Sequence, residues 1–96
     1  RNSSFTAVSG GAYICNTGEV GAFTVTLPAN PADNDYVLLA DGYGQWKNAN
    51  LTVARNGQNI AGEAADLTAD SAYATLRLTY KTTPDVTSSY IGWVLV

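Results

Sequence analysis

Hydrophobic and polar positions alternate with a period of two along most of the chain. Ala22 to Leu27 is the clearest case, with Phe23, Val25 and Leu27 facing one way and Thr24 and Thr26 the other. Ala74 to Tyr80 repeats the pattern with Leu76, Leu78 and Tyr80 inward and Thr75, Arg77 and Thr79 outward. Leu51 to Ala54 alternates too, and Ser89 to Val96 sets Ile91, Trp93 and Leu95 on one face. Successive side chains of a strand point to opposite faces, so each run predicts a strand with one buried face. Tyr36 to Ala40 is nearly continuous in apolar residues and predicts a strand buried on both faces. Shorter strands are expected at Phe5 to Val8 and Ala12 to Cys15. A helical stripe is absent. Ala61 to Ala69 has helix-favouring Ala and Glu but no apolar repeat, which allows one helical turn or a bent loop.

Turn chemistry divides these runs. Pro28 ends the strand before it, because proline has no N–H for a ladder. Asn56-Gly57 suits a type I′ turn, whose two central residues both need positive φ. It is expected to join Leu51–Arg55 to a short strand at Gln58–Ile60. Asp41-Gly42-Tyr43-Gly44 and Pro28 to Asn34 read as connections, and Thr82 to Ser88 as an exposed loop. Strands spaced by turns in this way predict an all-β fold: a small antiparallel β-sandwich or barrel-like module, one domain over residues 1–96.

Composition narrows the chemistry. The 96 residues carry a net charge of −3, and the five bases are scattered, which gives no footprint for nucleic acid or an anionic membrane. No apolar run approaches the ~20 residues of a membrane span. Histidine is absent and Cys15 is the one cysteine, which removes His-based catalysis, an internal disulfide and Cys-only metal sites. Cys15 itself reads as an inert buried thiol. The chain has no methionine and opens on Arg1, so a processed product or a piece cut from a longer protein is expected. Asp33, Asp35, Asp41, Glu63, Asp66 and Asp70 offer paired carboxylates for glycoside cleavage, but turn capping and solvated surface account for them. Asp33-Asn34-Asp35 is rich in oxygen, yet it lacks the glycine and closing glutamate of a calcium loop. No cofactor is expected.

One stretch carries candidate binding chemistry. Gly42-Tyr43-Gly44-Gln45-Trp46-Lys47-Asn48 brings two aromatic rings close to side-chain amides. A flat ring that packs on pyranose C–H groups, with Gln and Asn to bond the hydroxyls, is the plan of a sugar site. Tyr43, Gln45, Trp46 and Asn48 are therefore the candidate glycan-binding residues. The competing reading folds Trp46 back over the core or into a subunit contact.

From about Phe23 onward the order of motifs resembles a module of tail fibre and tailspike proteins of tailed bacteriophages. The features are Thr26-Leu27-Pro28 with Pro31, Asp35 and Asp41 around Val37, and Asn50-Leu51-Thr52-Val53 leading to Asn56-Gly57, Ile60 and Gly62. Leu67, Asp70, Leu76, Leu78, Tyr80 and the closing Gly92-Trp93-Val94 complete them. Residues 1–22 lie outside the resemblance. It implies a non-enzymatic module of a virion fibre, homotrimeric, alongside other tail proteins and in contact with the host surface. A carbohydrate-binding module for lipopolysaccharide or capsule is the alternative. In either reading Pro28, Asp41, Asn56, Gly57 and Gly62 serve as structural turn residues.

Overall fold

The computed structural model describes residues 1–82 and 92–95, and these form eight strands and no helix. The strands are β1 (Phe5–Thr6), β2 (Ala12–Ile14), β3 (Phe23–Thr26), β4 (Tyr36–Ala40), β5 (Leu51–Ala54), β6 (Leu67–Ala69), β7 (Thr75–Lys81) and β8 (Gly92–Leu95). They make two four-stranded sheets, ordered β1-β3-β5-β6 and β2-β4-β7-β8.

The fold is all-β, but it is not antiparallel throughout. Each of the first five strands lies in the sheet that its predecessor does not. The chain therefore winds between the sheets, and β1–β3, β3–β5 and β2–β4 pair in parallel. Parallel neighbours need a crossover between them. Here the crossover is a strand of the facing sheet rather than a helix. The antiparallel expectation holds only for the closing pairs β5–β6, β4–β7 and β7–β8. Residues 1–22 belong to this winding: β1 and β2 are the first rung on which β3 and β4 are laid.

The alternation seen in the sequence places the core. Phe23, Val25, Leu51 and Val53 of the first sheet and Val37, Leu39, Leu78, Tyr80 and Trp93 of the second are buried in one cluster. Removing a Val or Leu side chain from water in this way stabilises by about 1.5–3 kcal/mol. Three details depart from the alternation. Tyr36, Leu38 and Ala40 are half-buried, so β4 is covered fully on one face only; Arg77 lies over the Tyr36 ring at 4.9 Å on the other. Leu95 is 47% exposed, where the two sheets part beside Leu67 and Leu76. Ala61 to Ala69 holds no helical turn; its last three residues are β6, which runs back along β5.

The two strand ends after β3 and β5 close each other. Leu27 N–H bonds the Ala54 carbonyl at 3.0 Å, and the Asn56 amide donates to the Leu27 carbonyl at 3.0 Å. Pro28 then removes the next donor. Asn56 and Gly57 adopt φ of 49° and 87°, and Gln58 N–H closes the turn on Arg55 carbonyl at 3.2 Å. No strand follows at Gln58–Ile60. Arg55 N–H is taken by the Asp66 carboxylate at 2.9 Å, which ends the ladder after β5. Ala61 and Gly62, at φ 52° and 80°, make a second tight turn whose flanking Ile60 and Glu63 exchange both backbone bonds. Asn59 and Ala61 pair instead along β8, on either side of Trp93. A Cβ at Gly92 would meet the Asn59 carbonyl oxygen at 2.6 Å, so the pairing requires glycine there. Of the expected Thr82 to Ser88 loop and the strand from Ser89, residues 83–91 lie outside the described residues, as does Val96.

Candidate functional site

The connection after β4 is organised by one carboxylate. Asp41 is 3% exposed, and its oxygens accept four backbone N–H groups: Tyr43 at 3.3 Å and Gln45 at 3.1 Å on Oδ1, Trp46 at 3.1 Å and Tyr73 at 2.9 Å on Oδ2. Burial alone would raise its pKa. The N–H groups, Tyr73 first, outweigh that and hold the carboxyl below its usual 3.8. The chain from Tyr43 to Trp46 is thereby fixed to the chain at Tyr73. Two close approaches lie beside it. A Cβ at Gly42 would strike Ile14, and one at Gly44, itself at φ 69°, would strike the Tyr73 ring.

This anchoring separates the four glycan-binding candidates. Trp46 is fully buried, and its indole N–H donates to the Cys15 carbonyl at 3.0 Å. No face of Trp46 is open to a ligand, so the ring caps the core and is not a sugar platform. The reason is a carbonyl partner for its indole far away in sequence, since the Asp41 bond is one that Tyr43 and Gln45 also make. Tyr43, by contrast, is 58% exposed. Gln45 stands beside it and accepts a 3.4 Å contact from the Asn48 amide through Oε1. Asn48 is exposed but lies outside the concave surface that Tyr43 and Gln45 line.

Sequence reasoning missed the residues that complete this surface. Two adjoining concavities, about 360 and 340 Å³, share Asn16, Glu19 and Tyr43. Arg1, Asn2 and Ile14 extend the first; Gly18 and Gln45 extend the second. The stretch Asn16-Thr17-Gly18-Glu19 is polar and turn-like in sequence, and that was the available signal. Asn16 Oδ1 accepts Gly18 N–H at 3.0 Å, and Glu19 Oε2 accepts the Asn2 amide at 3.1 Å.

The remaining chemistry is committed elsewhere. Asp35 accepts the Ala32 N–H at 2.8 Å, and Asp66 serves Arg55. Asp33 accepts Thr82 N–H at 2.9 Å and lies 3.7 Å from Lys81 Nζ, which also bonds Asn34 Oδ1 at 3.0 Å. The Thr82 bond chiefly holds the Asp33 carboxyl below its usual value. Two members of the oxygen-rich triplet, Asp33 and Asn34, thus face an ammonium group, and the third, Asp35, serves a backbone N–H. Among the described residues no group of three or more Cys, Asp or Glu side chains is placed to hold a metal. Cys15 is buried, and burial pushes its thiol up to about 11. A thiol that stays protonated is a poor nucleophile. No family model matches the chain, and no curated protein matches it.

Proposed function

We propose that the chain is a non-enzymatic structural and host-attachment module of a bacteriophage tail fibre or tailspike, assembled in the virion as a homotrimer beside other tail proteins. The observation that carries this reading is the outer face of the first sheet. Its rows are Thr6–Thr26–Ala54 and Thr24–Thr52–Thr68, each residue directly beside the next across the strands. No charged side chain stands among these six positions. Another copy can cover such a face without burying an unpaired charge. The motif order from Thr26-Leu27-Pro28 to Gly92-Trp93 supports the fibre setting, and the carboxylates that serve backbone N–H groups support a scaffold role.

Light scattering tests the assembly. The expected mass is that of three chains. Thr24→Arg together with Thr52→Arg should give monomers with an unchanged circular dichroism spectrum. A wild-type chain that stays monomeric at high concentration overturns the trimer. Genes for other tail proteins should flank this one, and a neighbourhood without phage genes overturns the fibre setting.

A second reading, a carbohydrate-binding module for host lipopolysaccharide or capsule, is favoured by one observation. Tyr43 presents an exposed ring within a polar concave surface.

A further inference from the structure

Tyr43, Asn16 and Glu19 line both of two adjoining concavities, so the combined cleft has room for a ligand longer than one ring. The Tyr43 ring stands on a backbone that is already immobilised. The N–H groups of Tyr43, Gln45 and Trp46 all end on the buried Asp41 carboxylate. Presenting the ring therefore costs little further ordering on binding. In the same lining, Asn16 uses its carbonyl oxygen on Gly18 and Glu19 uses Oε2 on Asn2. The Asn16 amide donors and Glu19 Oε1 have no protein partner among the described residues. These are mixed donors and acceptors around an aromatic surface. A pyranose offers the same mixture, since each hydroxyl both donates and accepts, and its C–H face is apolar.

The side-chain charges of the lining balance: Glu19 brings one negative charge and Arg1 one positive charge. The Arg1 guanidinium lies over the Phe5 ring at 4.5 Å and the Tyr13 ring at 5.7 Å. A lining without net side-chain charge suits an uncharged ligand. We infer that this cleft binds a neutral oligosaccharide of two or more pyranose rings, with Tyr43 stacked on one ring and Asn16, Glu19 and Gln45 bonded to its hydroxyls. This deepens the host-contact reading and rests on it for its biological setting, but the binding is testable alone. The site differs from the one expected in sequence. It loses Trp46 and Asn48 and gains the loop at residues 16–19.

The test is a titration of the full chain with maltotriose, cellotriose and mannotriose, followed by amide NMR. Glucosamine and glucuronic acid serve as charged comparisons. At least one trisaccharide should give saturable shifts at Asn16, Gly18, Glu19, Tyr43 and Gln45, with Kd in about the millimolar range. Tyr43→Ala should weaken binding by about tenfold or more, while Asn48→Ala binds as the wild type does. The proposal is overturned if no trisaccharide gives saturable shifts, if only a charged sugar does, or if Asn48→Ala loses as much as Tyr43→Ala. Circular dichroism of Tyr43→Ala excludes unfolding as the cause. Light scattering on the same samples separates the two readings. A trimer that binds no sugar removes the cleft alone, and a monomer that binds removes the trimer alone.

Discussion

The turns that follow β4 and β5 solve the same problem by different means. After β5, the chain reverses on backbone conformation: Asn56 and Gly57 take positive φ, and a single 3.2 Å bond closes the turn. After β4, the chain reverses around a buried charge, and Asp41 gathers N–H groups from its own turn and from Tyr73. The first turn depends on which residues can adopt a conformation. The second depends on tertiary packing, because a carboxylate is stable there only while all its donors are in place. That difference predicts how each turn fails.

The largest effect is expected where the second turn meets the core. Trp46→Ala would open a cavity and strand the Cys15 carbonyl, for a loss of about 4 kcal/mol. Urea denaturation would show it as a lower midpoint. Asp41→Asn keeps the shape but replaces one acceptor oxygen by an amide donor facing N–H groups. It should cost about 3 kcal/mol. A loss under about 0.5 kcal/mol, the level of an ordinary surface change, would show that the charge is not what holds the turn.

Asp41 also ties the second turn to pH. Its carboxyl titrates below its usual 3.8 in the folded chain, so the folded state binds this proton less readily than the unfolded one. Its contribution is full above the unfolded value and is lost as pH falls through the lower folded value. The gap in stability between wild type and Asp41→Asn should therefore be largest near neutral pH and shrink as pH drops below about 4. Denaturant curves of both proteins at neutral and acid pH measure this. A gap that grows in acid would reverse the assigned sign.

Gly57→Ala probes the other turn and should cost about 1 kcal/mol, since φ of 87° is strained for any residue with a β-carbon. Open space surrounds the position, so no packing loss adds to it. The cost should not vary between neutral and acid pH, unlike that of Asp41→Asn.

Local chemistry was legible in the sequence, and distant partnership was not. The alternation at Phe23, Val25 and Leu27 and at Leu76, Leu78 and Tyr80 gave the inward faces, because a strand's side-chain period is a property of the strand alone. The positive φ of Asn56-Gly57 followed from the residue types. What the chain does after that turn did not, because Arg55 N–H finds the Asp66 side chain and β6 occupies the edge of β5. Parallel pairing was hidden for a related reason. A buried-face pattern looks the same in either direction, and no residue of β1 to β5 marks the switch of sheet. Trp46 read as an equal of Tyr43 because both lie in one polar loop. Their fates diverge through the Cys15 carbonyl, which is remote in sequence and takes the Trp46 indole N–H. Asn16 and Glu19 escaped notice because only the winding of β2 beside β4 brings them to Tyr43.

The smallest expected effect on stability sharpens the contrast within the second turn itself. Tyr43 and Trp46 both give a backbone N–H to the Asp41 carboxylate, but the Tyr43 ring is 58% exposed where Trp46 is buried. Tyr43→Ala keeps the N–H and deletes only the ring. It should change unfolding free energy by less than about 0.5 kcal/mol, against about 4 for Trp46→Ala. Two aromatic residues of one loop would then differ several-fold in what they contribute to the fold. A large loss in Tyr43→Ala would mean that its ring is a structural support, and the aromatic wall of the cleft would need no ligand to explain it.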